Sequence, residues 1–351
     1  RLAMLLSREP NIILILAGRN QAGLDAVQIQ IGDRHEIRKV DRDNIDADML
    51  SDIDLVIDAA GPFQSQNNQV IEAALTAQCH YADLADGRAF LANIGAYDRR
   101  AKKAGISVVA GASSIPALSH AAIDDLTDQW QSIDDIYVGI FPGNRAPRGL
   151  SVVQSILSYV GKPVRVFRNN EWQVRPGWGM LHRRKIPFAG YRWASICDTP
   201  DQDLLVERYN PRRSAEFFAG MELSILHLGL SLMAMPVRLG WISSLLPAAK
   251  PLLWLARRFL PFGSDVGAMD VEVSGMDDRG EAICHRWVLK ADANHGPNVP
   301  IIAAAILARR LVHGNPPQPG AFPCSGILKL DEFQSDFANF GIQTRMLRHF
   351  R

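Results

Sequence analysis

Cysteine is scarce and scattered. Cys79, Cys197, Cys284 and Cys324 are the only four in 351 residues, and no two form a C-x-x-C pair. Such spacing argues against a disulfide framework and fits reduced thiols in a cytoplasmic setting. The nine histidines include no H-E-x-x-H and no pair four apart, and there is no Cys/His quartet, so no metal site is expected. A G-x-S-x-G elbow is missing as well, which leaves nothing to compel a hydrolase. Charge of one sign is also lacking: 38 Lys and Arg against 37 Asp and Glu give a net charge of +1. With no dense basic run, the chain has nothing to attract nucleic acid. Nor does any apolar stretch reach the ~20 uninterrupted residues of a membrane span. There is no internal repeat, and no G-x-G-x-x-G turn anywhere in the sequence.

What is present is a β/α rhythm. At 351 residues, two domains are the natural expectation. Strand-like runs at about 12–18, 35–41, 53–61, 79–83 and 106–111 alternate with helical patterns at 67–77 and 90–104. That alternation predicts a parallel sheet with crossover helices over residues 1–122. Beyond residue 123 the rhythm changes. Strands are expected at 133–141 and 163–167, a helix at 149–159, and two β runs at 269–274 and 282–290 around the turn Asp277-Asp-Arg-Gly280. The fold class is therefore α/β, with a Rossmann-type parallel sheet domain at 1–122. A second, α+β domain at 123–319 carries a mixed or antiparallel sheet, and residues 320–351 return to the first domain. Pro300 and Gly314 bracket a helix at 299–312.

The segment Asn11-Ile-Ile-Leu-Ile-Leu-Ala-Gly-Arg-Asn20 is the most telling. An apolar strand ends on a small residue and an arginine, where a dinucleotide-binding unit meets the adenosine ribose. An acid at that point selects NAD, whereas Arg19 can pair with the 2′-phosphate of NADP. Asn20 either adds a hydrogen bond to that phosphate or caps the next helix. The helix-like Arg1 to Arg8 precedes this strand, and a first strand with a glycine loop is expected upstream of it. Without that loop, affinity for NADP should be poor. Asp41, at the end of the run 35–41, would face the adenine edge or act as a helix cap. Ala59, Ala60, Gly61 and Pro62 would let the backbone approach the cofactor, or form a tight turn.

Four motifs in order resemble the saccharopine dehydrogenase-like NADP-binding reductases: Leu16-Ala-Gly-Arg-Asn20, Val56-Ile-Asp-Ala-Ala-Gly-Pro-Phe63, His80-Tyr-Ala-Asp83 and Gly111-Ala-Ser-Ser-Ile-Pro116. Together they cover residues 1–122. Asn294-His-Gly-Pro297 and Gly320-Ala-Phe-Pro-Cys-Ser-Gly326 are similar to an uncharacterised bacterial branch. The resemblance implies an inserted α+β domain and an NADP-dependent oxidoreductase acting on a small or lipid-like substrate. Chemistry within such a family is not uniform, since related members reduce imines or lipid double bonds.

The remaining candidates follow from position. Asp83 ends the strand run 79–83 near the place of a nicotinamide ring, and with His295 it is a candidate catalytic group; a structural role is the alternative for each. Ser113 and Ser114, at a helix start, are candidates for substrate binding or capping. Arg145 would meet a substrate carboxylate or form a surface ion pair. Residues 215–262 are unusually apolar but are broken by Arg238, Lys250, Arg257, Arg258 and four prolines. Two readings remain. Helices buried over the active site or in a homodimer interface are favoured over a helix pair lying on a membrane surface, where Trp241 and Trp254 would sit at the interface. In a second functional class the chain binds NADP without catalysis or works at a membrane surface.

Overall fold

Short β-branched runs closed by a small or acidic residue build the first sheet. The computed structural model describes residues 1–350 apart from Pro62, 64–66 and Arg148. Helix α1 (Leu2–Leu6) leads into β1 (Ile15–Gly18), α2 (Gln21–Ile31) and β2 (Glu36–Lys39). Then come β3 (Leu55–Asp58), α3 (Gln69–Ala77), β4 (His80–Asp83), α4 (Arg88–Ala92), α5 (Asp98–Ala104), β5 (Ser107–Ala110) and α6 (Ser119–Leu126). β1 pairs with β2, and β4 lies between β3 and β5, every pair parallel. Parallel neighbours need crossover connections that cover the sheet, so their strands are apolar on both faces. All four residues of β5 are buried accordingly. The single helix expected over 90–104 is instead α4 and α5, parted by a 3₁₀ turn at Ile94–Tyr97. Asn93 and Gly95, both weak helix formers, stand at the break.

The chain continues through β6 (Ser132–Phe141), α7 (Leu150–Tyr159), β7 (Pro163–Arg168), β8 (Glu171–Pro176), β9 (His182–Ile186) and β10 (Gly190–Ile196). After α8 (Asp201–Tyr209) and β11 (Ser214–Ala219) come α9 (Ser224–Arg238), α10 (Ala249–Arg258), β12 (Gly267–Met276) and β13 (Ala282–Ala291). The chain closes with α11 (Val299–Val312), β14 (Gly320–Pro323), α12 (Gln334–Asn339) and β15 (Gln343–Phe350). A nine-stranded sheet runs β15-β13-β12-β6-β11-β10-β9, with β7 on β11 and β8 on β7. β6 and β11 are parallel and the other pairs antiparallel, a mixed sheet. Asp277 closes the β12–β13 hairpin by accepting the backbone N–H groups of Arg279 and Glu281.

Three placements differ from the sequence reading. The apolar region at 215–262 opens with a strand, because Ala215-Glu-Phe-Phe218 pairs between β6 and β10. Helix α11 packs with α1 beneath the first sheet: Ile301, Ala305 and Ala308 join Leu5 and Leu6 in one cluster against Leu55 and Ile57. The C-terminal segment divides. β14 extends the first sheet beside β5, while β15 pairs with β13 at the edge of the second. Only four residues of β14 fit the first sheet before Ser325 to Leu330 turn away, and the eight-residue β15 matches the long β13 edge.

Beyond their partners β2 and β4, β1 and β3 pair with no other strand among the described residues. Leu14 as well as Leu55 and Ile57 pack on the α1–α11 cluster. The pair β2-β1 and the sheet β3-β4-β5-β14 are both parallel, as in doubly wound folds, and both pack on that cluster. The two sheets share a core, in which Ala82 and Val109 meet Val138, Val271 and Ile302.

Candidate cofactor and substrate site

The C-terminal ends of β1, β3, β4 and β5 form one rim, the side on which open parallel sheets bind ligands. Arg19, just beyond β1, is exposed and has no hydrogen bond or ion pair among the described residues. Asn20 is a helix cap, its side chain accepting the Gly23 N–H at 3.2 Å. Asp41 likewise caps the 3₁₀ turn after β2 through the Asp43 N–H. At the end of β3, Ala59, Ala60 and Gly61 are exposed; Pro62 lies outside the described residues. Buried Asp58 sets that turn. One of its oxygens accepts the Ala60 N–H at 3.0 Å and the other pairs with Arg42 at 2.7 Å.

Asp83 is placed differently from a catalytic carboxylate. It is fully buried and does not reach the cavity described below. Its Oδ1 accepts the N–H groups of Ala85 at 2.9 Å and Gly111 at 2.7 Å, tying the end of β4 to the end of β5. Oδ2 has no partner among the described residues. Burial, outweighing those hydrogen bonds, pushes its pKa up to about 7. Burial and the Asp83 charge together also raise the neighbouring Tyr81 hydroxyl. Gly111 has φ +76°, and a Cβ there would lie 2.6 Å from Pro116 Cδ and 2.8 Å from Leu91 Cδ2. Asp83 and Gly111 thus act as a latch that fixes the loops after both strands.

Those loops border a cavity of about 550 Å³ between the sheets and helices α7, α9 and α10. Ser113 and Ser114 reach its wall from the first sheet, as does Asp86. Most of the remaining wall is apolar, with Ile156, Trp178, Phe217, Leu230, Met233 and Met269 contributing. Tyr159, Cys197 and Asp198 lie together on it. Burial lifts the Tyr159 hydroxyl well above its usual range and pushes the Cys197 thiol up to about 12, so both keep their protons at neutral pH. No lysine, arginine or histidine is among the described lining residues.

Arg145 does not line this cavity. Its guanidinium reaches the Pro261 carbonyl at 3.3 Å and its backbone N–H donates to Ser264, so it braces a loop. The same loop is pinned by Glu222, which accepts the Asn144 N–H and both the N–H and hydroxyl of Ser264. Burial opposes the Glu222 charge, but those donors prevail and hold its pKa below the usual value. His295 is half-buried beside the wall residues Gly296 and Pro297, with Nδ1 3.0 Å from Asn298 Nδ2. Sequence reasoning passed over Asp198, Asp265 and Tyr159, none of which stands in a motif. It also passed over Arg88, which joins the turn after β4 to Asp198 and Asp203.

Comparison with known proteins bears on this arrangement. Residues 1–109 match the family described as the saccharopine dehydrogenase NADP binding domain. Over those residues the chain is similar to that family. The apo saccharopine dehydrogenase (L-Glu forming) of Saccharomyces cerevisiae superposes with a TM-score of 0.69 at 13% identity, over 99% of this chain and 96% of that one. At that identity the likeness is one of fold, and it spans both sheets. A dehydrogenase (MviM) of Clostridium difficile reaches only 0.40 at 7% identity, over 95% and 90% of the two chains. The 3-ketoreductase KijD10 of Actinomadura kijaniata reaches 0.39 at 13%, over 90% and 87%. Those two scores are too low to say anything further of this chain. No curated protein matches it in sequence. In the saccharopine dehydrogenase-like first domain, the exposed Arg19 and the small residues at 59–61 fit the adenosine end of a dinucleotide by their chemistry.

Proposed function

We propose that this chain is an NADP-dependent oxidoreductase whose substrate is large and apolar, of lipid-like character. The observation that carries this reading is the cavity at the ends of β4 and β5, about 550 Å³ with apolar walls and no basic side chain among the described lining residues. A substrate bearing carboxylates would need cationic partners once removed from water, and would meet Asp86, Asp198 and Asp265 instead. The bound nicotinamide would supply or accept the hydride at a substrate carbon. The Ser113 and Ser114 hydroxyls, on the cavity wall, orient a carbonyl or imine by hydrogen bonding. Helices α7, α9 and α10 exclude water from that carbon. His295 stands behind the wall residues Gly296 and Pro297 without lining the cavity, so it positions that loop through Asn298 rather than meeting the product. Arg19 pairs with the 2′-phosphate and prefers NADP over NAD.

Calorimetric titration of NADPH and NADH into the full-length protein tests the cofactor part. NADPH should bind at least tenfold more tightly than NADH, and Arg19→Ala should abolish the difference. Binding of neither nucleotide, or a preference untouched by the substitution, would overturn it. For the substrate part, NADPH oxidation should proceed with long-chain ketones or enones and fail with 2-oxo acids. The reverse order would remove the argument from the cavity.

A further inference from the structure

The outer side of the cavity wall is itself apolar. Along α9, Ile225, Leu228, Leu232, Met235 and then Leu239 just past its end are exposed, spaced three and four apart, so they form one stripe. The opposite side of α9, with His227, Leu230 and Ala234, is buried. Trp241 and Ile242 after α9, Trp254 and Leu255 on α10, and Phe262 beyond it are exposed as well, Trp241 and Phe262 by 75% and 74%. Scattered surface hydrophobics need no explanation, but a run of this extent does.

Charge distinguishes this surface further. From Leu223 to Ser264 there is no aspartate or glutamate, while Arg238, Lys250, Arg257 and Arg258 all lie there, a local charge of +4. All four are exposed, and none has an ion pair among the described residues. Arg258 lies over the Trp254 ring at 4.8 Å, placing a cation beside an aromatic at the edge of the apolar stripe. Apolar stripe, interfacial tryptophans and an acid-free basic rim are the chemistry of a helix pair lying in an anionic lipid surface. A second copy of this chain fits poorly, because a two-fold contact would set +4 against +4.

The exposed residues also meet the cavity. Leu255 on α10 and Val152 on α7 line the cavity and are 43% and 49% exposed, so the mouth opens inside the apolar face. We infer that the α9–α10 face docks on an anionic phospholipid surface and that the apolar ligand passes between bilayer and cavity through the Leu255–Val152 mouth. Docking stands on the surface alone; passage of the ligand rests on the cavity being the substrate site proposed above. The physical reason is solubility. A ligand matched to these walls partitions into lipid, and a mouth opening there spares it a transfer through water.

Flotation of the full-length protein with vesicles tests docking. Vesicles of mixed phosphatidylglycerol and phosphatidylcholine should carry the protein up the gradient, pure phosphatidylcholine should do so at least tenfold less, and high salt should weaken the anionic case. The triple substitution Trp241→Glu, Trp254→Glu, Phe262→Glu should lower binding at least tenfold. So should Lys250→Glu with Arg257→Glu and Arg258→Glu, a set that leaves the apolar residues intact. Both variants alter exposed side chains and should keep the wild-type unfolding midpoint. Absence of flotation, flotation unchanged in both variants, or a stable dimer dissolved by the same substitutions would overturn docking. Calorimetry with NADPH on the same samples separates the readings. Lost flotation with intact NADPH binding is the result expected of the variants, whereas wild-type flotation without NADPH binding would sink the reductase reading alone.

Discussion

Replacing Asp83 in two ways should separate a positional carboxylate from a catalytic one. Its Oδ1 accepts two buried backbone N–H groups, from Ala85 and Gly111, and it is wholly shielded from solvent. Asp83→Ala orphans both donors, at about 1–3 kcal/mol each, so a loss of about 2–6 kcal/mol is expected. Asp83→Asn keeps an acceptor in the same place and removes the titration. Burial raises the folded pKa to about 7, well above the unfolded carboxylate range. The folded protein therefore binds a proton between about pH 4 and 7 that the unfolded chain has released, and stability falls as pH rises through that window. A difference of about three pKa units corresponds to about 4 kcal/mol over the full range, of which about 3 kcal/mol lies between pH 5 and 8. Urea unfolding of wild type and both variants at pH 5 and 8 measures this. Relative to wild type, Asp83→Asn should gain about 3 kcal/mol on going from pH 5 to 8, and Asp83→Ala should be the weakest protein at pH 5. A wild-type-to-Asn difference that ignores pH, or an Ala variant as stable as wild type, would refute the latch.

Two further outcomes follow from neighbouring groups. Gly111→Ala places a methyl 2.6 Å from Pro116 Cδ at φ +76°, and chemical denaturation should show a loss of about 1–3 kcal/mol or more. His227 is buried, with Nδ1 accepting the Met221 N–H and Nε2 2.9 Å from Ser195 Oγ, and burial depresses its pKa to about 4. Its neutral form is favoured on folding, so its contribution is lost as pH falls from about 6.5 to 4, by about 3 kcal/mol. Because Asp83 slopes the other way, ring resonances in an NMR titration are the cleaner check. They should show no protonation above pH 5, and a ring titrating near 6.5 would contradict the burial argument.

Much of the fold is legible in the chain because it rests on local rules. Alternating apolar runs and helix patterns mark the parallel sheet, and Asp277-Asp-Arg-Gly280 marks a hairpin whose side-chain acceptor the structure supplies. The helix at 299–312 is bounded as its Pro and Gly suggest, but which sheet it covers is not a local property; packing with α1 decides it. Strands β8 to β10 escape the sequence reading; in β8 even the alternating Trp172 and Val174 face solvent, so no buried face marks it. Among candidate site residues, Arg19 is exposed at the strand end with no partner among the described residues, and Ser113 and Ser114 reach the cavity. Arg145 is taken up by a loop carbonyl instead, which no spacing around it could reveal.

The amphipathic region at 215–262 shows where the division falls. Composition alone determined that no span crosses a bilayer there, and among the described residues no helix is long and apolar enough to do so. Whether those helices are buried or displayed could not be settled by composition, since a buried face and a lipid-facing one use the same residues. The tertiary structure makes them both, with Leu230 and Met233 turned to the cavity and Leu232 and Met235 to the outside. Asp83 divides in the same way. Its place at a strand end was determined by sequence, because strand, turn and helix are set by neighbours a few residues apart. Its role was decided by Gly111, twenty-eight residues on, because a buried carboxylate takes its character from whichever donors the fold brings to it.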